Sequence, residues 1–82
     1  MSNIFDFVQR VIEFVEKKAK SFLEKKGLGH LYDGIRQSAK ENNTSVTDYI
    51  NKILNDTINV VADKKKEDRN KLREEFNSHY LS

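Results

Sequence analysis

Eighty-two residues allow one domain, and a chain this short buries only about 60% of the surface its unfolded form exposes, so its own core is thin. Cysteine is absent, which excludes a disulfide scaffold. His30 and His79 stand alone, without further ligands at metal-binding spacing, so no cofactor or metal is expected and self-association is the remaining staple. The net charge of +2 is spread thinly: six basic residues against four acidic over 1–27, three against four over 28–62, and six against five over 63–82, so composition alone announces no nucleic-acid-binding face.

Proline is absent, and glycine occurs only at 27, 29 and 34. No run alternates apolar with polar residues for long, which predicts an all-α or nearly all-α fold. The first predicted helix spans 1–27, starting near Asn3 as N-cap with Asp6 in its first turn. Ile4, Val8, Val11, Val15, Ala19 and Phe22 recur at spacings of three and four, widened by Phe5, Ile12 and Leu23 and extended by Phe7 and Phe14 into a broad apolar face. The apolar residues are spaced among charges rather than joined in an unbroken run, so this segment is neither a secretory signal nor a membrane span, and a soluble cytoplasmic chain is expected. Asp6, Glu13, Glu16 and Glu24 dilute the basic residues of its polar side, which argues against attraction to an anionic membrane.

Gly27 and Gly29 stop this helix and form a loop. A second helix is expected over roughly 30–41, with Leu31, Ile35 and Ala39 on one face and Tyr32 beside them. The segment ENNTS then breaks the chain. Asn42 and Asn43 suit helix-ending turns, and Ser45 followed by Asp48 reads as an N-cap with an acidic third position. The third helix has the clearest periodicity, carried by Val46, Tyr49, Ile50, Ile53, Leu54, Thr57, Ile58, Val60 and Val61, and is the candidate centre of the core. After Ala62 the run DKKKEDRNK is polar on every side. It reads as a solvent-bridging helix, with pairs such as Lys64/Asp68 and Glu67/Lys71, or as a disordered spacer. Leu72, Phe76 and Tyr80 give the tail, 63–82, a narrow stripe suited to docking or self-association.

Residues 31–57, LYDGIRQSAKENNTSVTDYINKILNDT, resemble without a gap the helical part of the ribbon-helix-helix family, the Arc- and Mnt-like phage repressors. The matching positions are Leu31, Asp33, Ile35, Arg36, Ala39, Glu41, Asn42, Ser45, Val46, Ile50 and Leu54. The resemblance implies that 30–61 form a helix-turn-helix pair in an intertwined homodimer, with Leu31, Ile35, Ala39, Val46, Ile50, Ile53 and Leu54 in the shared core. It implies docking of the third helix's N-terminus on a DNA phosphate through Thr44, Ser45 and Val46. It further implies that the tail helix assembles dimers into a tetramer. The family's groove-reading strand falls on Phe22–Gly27, residues that the first helix also claims. A ribbon over 22–28 favours DNA, whereas a helix running through Phe22 to Lys26 favours a protein partner.

The expected function is accordingly a small dimeric DNA-binding regulator of phage or plasmid kind, with Lys25, Lys26 and Lys40 adding backbone contacts. The alternative is a cytosolic protein-interaction regulator, comparable to an antitoxin or antiholin, in which the same helices are a dimerisation scaffold. Ile4, Phe7, Val11 and Phe14, or Leu72, Phe76 and Tyr80, would then capture the partner. Each feature also has a plainer reading: Ser45 as an ordinary cap worth ~1 kcal/mol, Lys25 and Lys26 as cations at the negative end of a helix, and the apolar faces as core. No nucleophile is paired with a base and no glycine-rich phosphate loop occurs, so no enzymatic activity is expected.

Overall fold

The computed structural model describes residues 3–42 and 45–81, with side chains described through His79. It contains α1 (Ile4–Lys25), a 3-10 turn (Gly29–Leu31), α2 (Tyr32–Glu41), α3 (Val46–Lys65) and α4 (Arg69–Leu81). No strand occurs among the described residues.

The end of α1 decides the question raised by the family's strand. Leu28 N donates to Leu23 O at 2.7 Å and Gly27 N to Glu24 O at 3.0 Å, while Gly27 adopts φ +75°. This nested pair closes a helix around a left-handed residue, where glycine escapes the Cβ clash. Leu23 and Leu28, at the two ends of the longer bond, are both buried and supply the apolar contact typical of such a stop. The strand that the resemblance implies over Phe22–Gly27 is therefore not formed. Phe22 and Leu23 gain more from full burial as the last core positions of α1 than alternation could give them, since it would turn Phe22 toward solvent.

At the opposite end, the expected Asn3 side-chain cap is not formed. The Asn3 carbonyl accepts from Phe7 N at 2.8 Å. Helix two enters through the 3-10 turn and becomes α-helical at Tyr32. Ser45 caps α3 as expected, its Oγ accepting from Asp48 N at 3.1 Å. The charged joint is neither one continuous helix nor a spacer. α3 runs to Lys65, Lys66 turns left-handed at φ 57°, and Asp68 Oδ2 accepts from Lys71 N at 3.0 Å to start α4. This break removes the helical register that the Lys64/Asp68 and Glu67/Lys71 pairs require.

Contacts along α1 give the helix directions. Ile12 and Val46 line one groove, Glu16 meets Tyr49, and Lys26 meets Glu67, so α1 and α3 run the same way. Glu16 with Arg36, and Ser21 with His79, turn α2 and α4 the other way. One core joins all of them: Val15, Ala19, Phe22 and Leu23 of α1, Leu28, Tyr32, Ile35 and Ala39, Tyr49, Ile53, Ile58, Val61 and Ala62 of α3, and Leu72 and Phe76 of α4. Phe22 and Phe76 meet edge-on with ring centroids 5.0 Å apart, a favoured aromatic geometry. Thr57 is fully buried among these apolar groups, and its hydroxyl has no hydrogen-bond partner.

Candidate functional site

α1 is 22 residues long, about 33 Å at the helical rise, and only its C-terminal part is enclosed. Its buried residues are Val15, Ala19, Phe22 and Leu23, whereas Ile4, Phe5, Phe7 and Phe14 are 70%, 85%, 68% and 42% exposed. Val8, Val11 and Ile12 are half-buried. Ser45 and Val46, at the start of α3, share a groove with Gln9 and Ile12, and the residues of α1 before Val8 are exposed. Helical periodicity puts Ile4, Val8 and Val11 on the line that continues through Val15 and Phe22 into the core, with Phe5 and Ile12 on one flank and Phe7 and Phe14 on the other. Val46, 43% exposed, sits at the foot of this arm. The apolar face thus runs without interruption from the core onto exposed helix.

Polar contacts hold the arm's base in place. Glu16 Oε2 accepts from Arg36 Nε at 3.1 Å and from the Tyr49 hydroxyl at 2.5 Å, tying α1 to α2 and α3. Burial first, and then the hydrogen bond to Glu16, push the Tyr49 phenol well above its ordinary value. Burial also pushes Tyr32 up to about 12, while the hydrogen bond to Glu16 raises Arg36. The two tyrosines stay neutral and Arg36 stays charged at neutral pH, so the cluster works as a brace. Nothing in its sequence spacing identifies it, because its three members come from three helices.

The residues considered for DNA contact do not converge. Lys40, Ser45 and Val46 lie near Ile12, whereas Lys25 and Lys26 stand about 20 Å away along α1 at helical rise. Lys26 is tied to Glu75 at 2.9 Å and Glu67 at 3.3 Å, and the hydrogen bond to Glu75 leads the causes that raise its pKa. Lys25 borders a groove whose other charged residues include Glu67, Asp68, Glu74 and Glu75. Ser45 Oγ is engaged as a cap, and Thr44 lies outside the described residues. Of the residues assigned to a shared dimer core, Ile35, Ala39 and Ile53 are buried within this chain, Leu31, Ile50 and Leu54 are half-buried against the same core, and Val46 is exposed rather than internal.

The partner-binding candidates divide in the same way. Ile4, Phe7 and Phe14 are exposed on the arm, and Val11 packs partly against the core. Leu72 and Phe76 are buried against this chain's own helices and so present no docking stripe. The Tyr80 side chain lies outside the described residues. His79 is placed where sequence spacing gave no hint, 3.1 Å from Ser21 Oγ and beside the Phe22 ring. Among the described residues no group of metal-ligating side chains clusters, and no helix is long and apolar enough to cross a membrane. No family model matches the chain, and no curated protein or solved structure matches it with significance.

Proposed function

We propose that this chain is a small non-catalytic regulator that acts through protein–protein contact, with the exposed face of α1 from Ile4 to Phe14 as its docking element. The observation that carries this reading is the contrast within α1 itself: its C-terminal apolar positions are fully buried, while Phe5 and Phe7 are 85% and 68% exposed. Aromatic side chains held on a rigid helix make effective interface anchors because they carry large area and little conformational freedom. The helices behind the arm act as a scaffold, with Glu16, Arg36 and Tyr49 fixing its angle.

The DNA-docking reading has less support, because α1 occupies the place of a base-reading ribbon and the candidate lysines are dispersed. Fluorescence anisotropy with random duplex DNA across a salt series tests the choice. Protein-contact function predicts no binding at physiological salt and only a shallow rise at low salt. Binding that falls steeply with salt and weakens in Lys40→Ala or Ser45→Ala would overturn it in favour of phosphate docking.

A further inference from the structure

We infer that the α1 face is occupied by a second copy of this chain, the two arms packing antiparallel across a two-fold axis at Val8. This rests on the protein-contact reading and names its partner. The first argument is area. At about 200 Å² for a whole phenylalanine, the exposures of Phe5, Phe7 and Phe14 leave roughly 400 Å² open to solvent. Ile4 and Val46, at 70% and 43%, bring the figure past roughly 500 Å² on a generic scale. A stable interface of ordinary size takes about 800 Å² from each partner, somewhat more than half of it apolar. One face of this chain therefore supplies about the apolar share of one side of such an interface.

The second argument is self-complementarity. Isologous contact requires a patch that is its own complement. Ile4, Val8, Val11 and Val15 follow the alternating spacing of three and four that lets helices pack side by side. With the axis between the two Val8 side chains, Ile4 of one copy meets Ile12 of the other, and Phe5 meets Val11. Ile12 shares its groove with Val46, so the tip of each arm also covers the exposed valine at the foot of the other. Asp6, Gln9, Arg10 and Glu13 fall on the opposite side of the helix, so the pairing buries none of these polar and charged side chains.

Charge also separates this occupant from a lipid surface. Between Ile4 and Phe14 the chain carries Asp6 and Glu13 against Arg10, whereas helices that lie on anionic bilayers carry a basic polar face. This dimer differs from the intertwined one implied by the family resemblance, in which the two copies would share the core that α3 here completes within one chain.

The experiment is sedimentation equilibrium of the full chain from micromolar to near-millimolar concentration, combined with single-cysteine oxidation, for which the absence of native cysteine is convenient. The wild type should be dimeric. Val8→Asp should weaken dimerisation more than tenfold, with an unchanged circular dichroism spectrum confirming its fold. Val8→Cys should cross-link with itself on mild oxidation, while Phe5→Cys should cross-link with Val11→Cys in preference to itself. A dimer that Val8→Asp leaves intact, or one in which Phe5→Cys self-links and Val8→Cys does not, overturns the proposed interface. A wild-type monomer that ignores vesicles of phosphatidylcholine and phosphatidylglycerol overturns the second-copy assignment and leaves the protein-contact reading standing. A monomer that floats with those vesicles overturns both.

Discussion

Replacing Phe22 with alanine separates the helix from the ribbon at the residue where they differ most. In the helix Phe22 is fully buried, meets Phe76 edge-on at 5.0 Å, and lies 5.7 Å beneath the Lys26 ammonium. In a strand the same ring would face solvent. Truncating a fully buried phenylalanine costs about 3–5 kcal/mol. α4 closes the chain and can settle partly into the space, so about 3–4 kcal/mol is expected. The edge-on pair contributes about 0.5–1.5 kcal/mol beyond its buried area, so the Phe22→Ala/Phe76→Ala cycle should show a coupling near 1 kcal/mol. A domain of this size has roughly 4–12 kcal/mol of stability in all, and the variant should be close to unfolding. Urea denaturation followed by circular dichroism reads the loss as a fall in midpoint with little change in slope. A cost below about 1 kcal/mol would refute both the buried ring and the termination of α1 at Gly27.

Three further predictions follow from individual side chains. Thr57→Val keeps the shape and removes a buried hydroxyl that lacks a partner, so it should stabilise the fold by about 1 kcal/mol; a loss of stability in urea would mean that the hydroxyl is satisfied. Lys66→Gly relieves the left-handed backbone at φ 57° and should raise stability by about 0.5–1 kcal/mol, measured in the same way, with a decrease counting against a left-handed stop. Burial first, and then Lys18 and Lys25, lower the His79 pKa below its ordinary 6.5, with Glu75 opposing. The unfolded chain consequently binds this proton more readily, and the stability from neutral His79 is complete above about 6.5 and lost as pH falls through the depressed folded value. His79→Gln should flatten the pH dependence of the urea midpoint between about pH 7.5 and pH 5, and an unchanged slope would contradict the burial of this ring.

The helical class, the glycine stop and the Ser45 cap were legible because each is written in local chemistry: periodicity, a residue free to take positive φ, and a hydroxyl three residues before an amide. The stripe of Leu72 and Phe76 was equally visible, but its destination was not. A stripe looks the same whether its partner is Phe22 of the same chain or a residue of another, and only the turn at Lys66 decides which helix it reaches. The α1 face carried the converse ambiguity. Its periodicity is continuous from Ile4 to Phe22, and nothing in the pattern marks Val8 to Ile12 as the level where the other helices end. Over 31–57 the Ser45 cap read from its local chemistry is formed, whereas the upstream strand implied by the family resemblance lost to the burial of Phe22 and Leu23. The bracing role of Glu16 was not legible because its partners, Arg36 and Tyr49, are distant in sequence, and the ion pairs of Lys26 were not because its carboxylates arrive only when α4 folds back.

The most direct test of the central claim is photo-crosslinking in the cells that make this protein, with a benzophenone side chain introduced at Phe5 and, as control, at Lys17 on the polar side of α1. Protein contact through the exposed face predicts a discrete protein adduct from position 5, formed by a second copy of this chain if the dimer inference holds, and none from position 17. Adducts that are lipid alone at position 5, or the same adducts at both positions, would contradict the account.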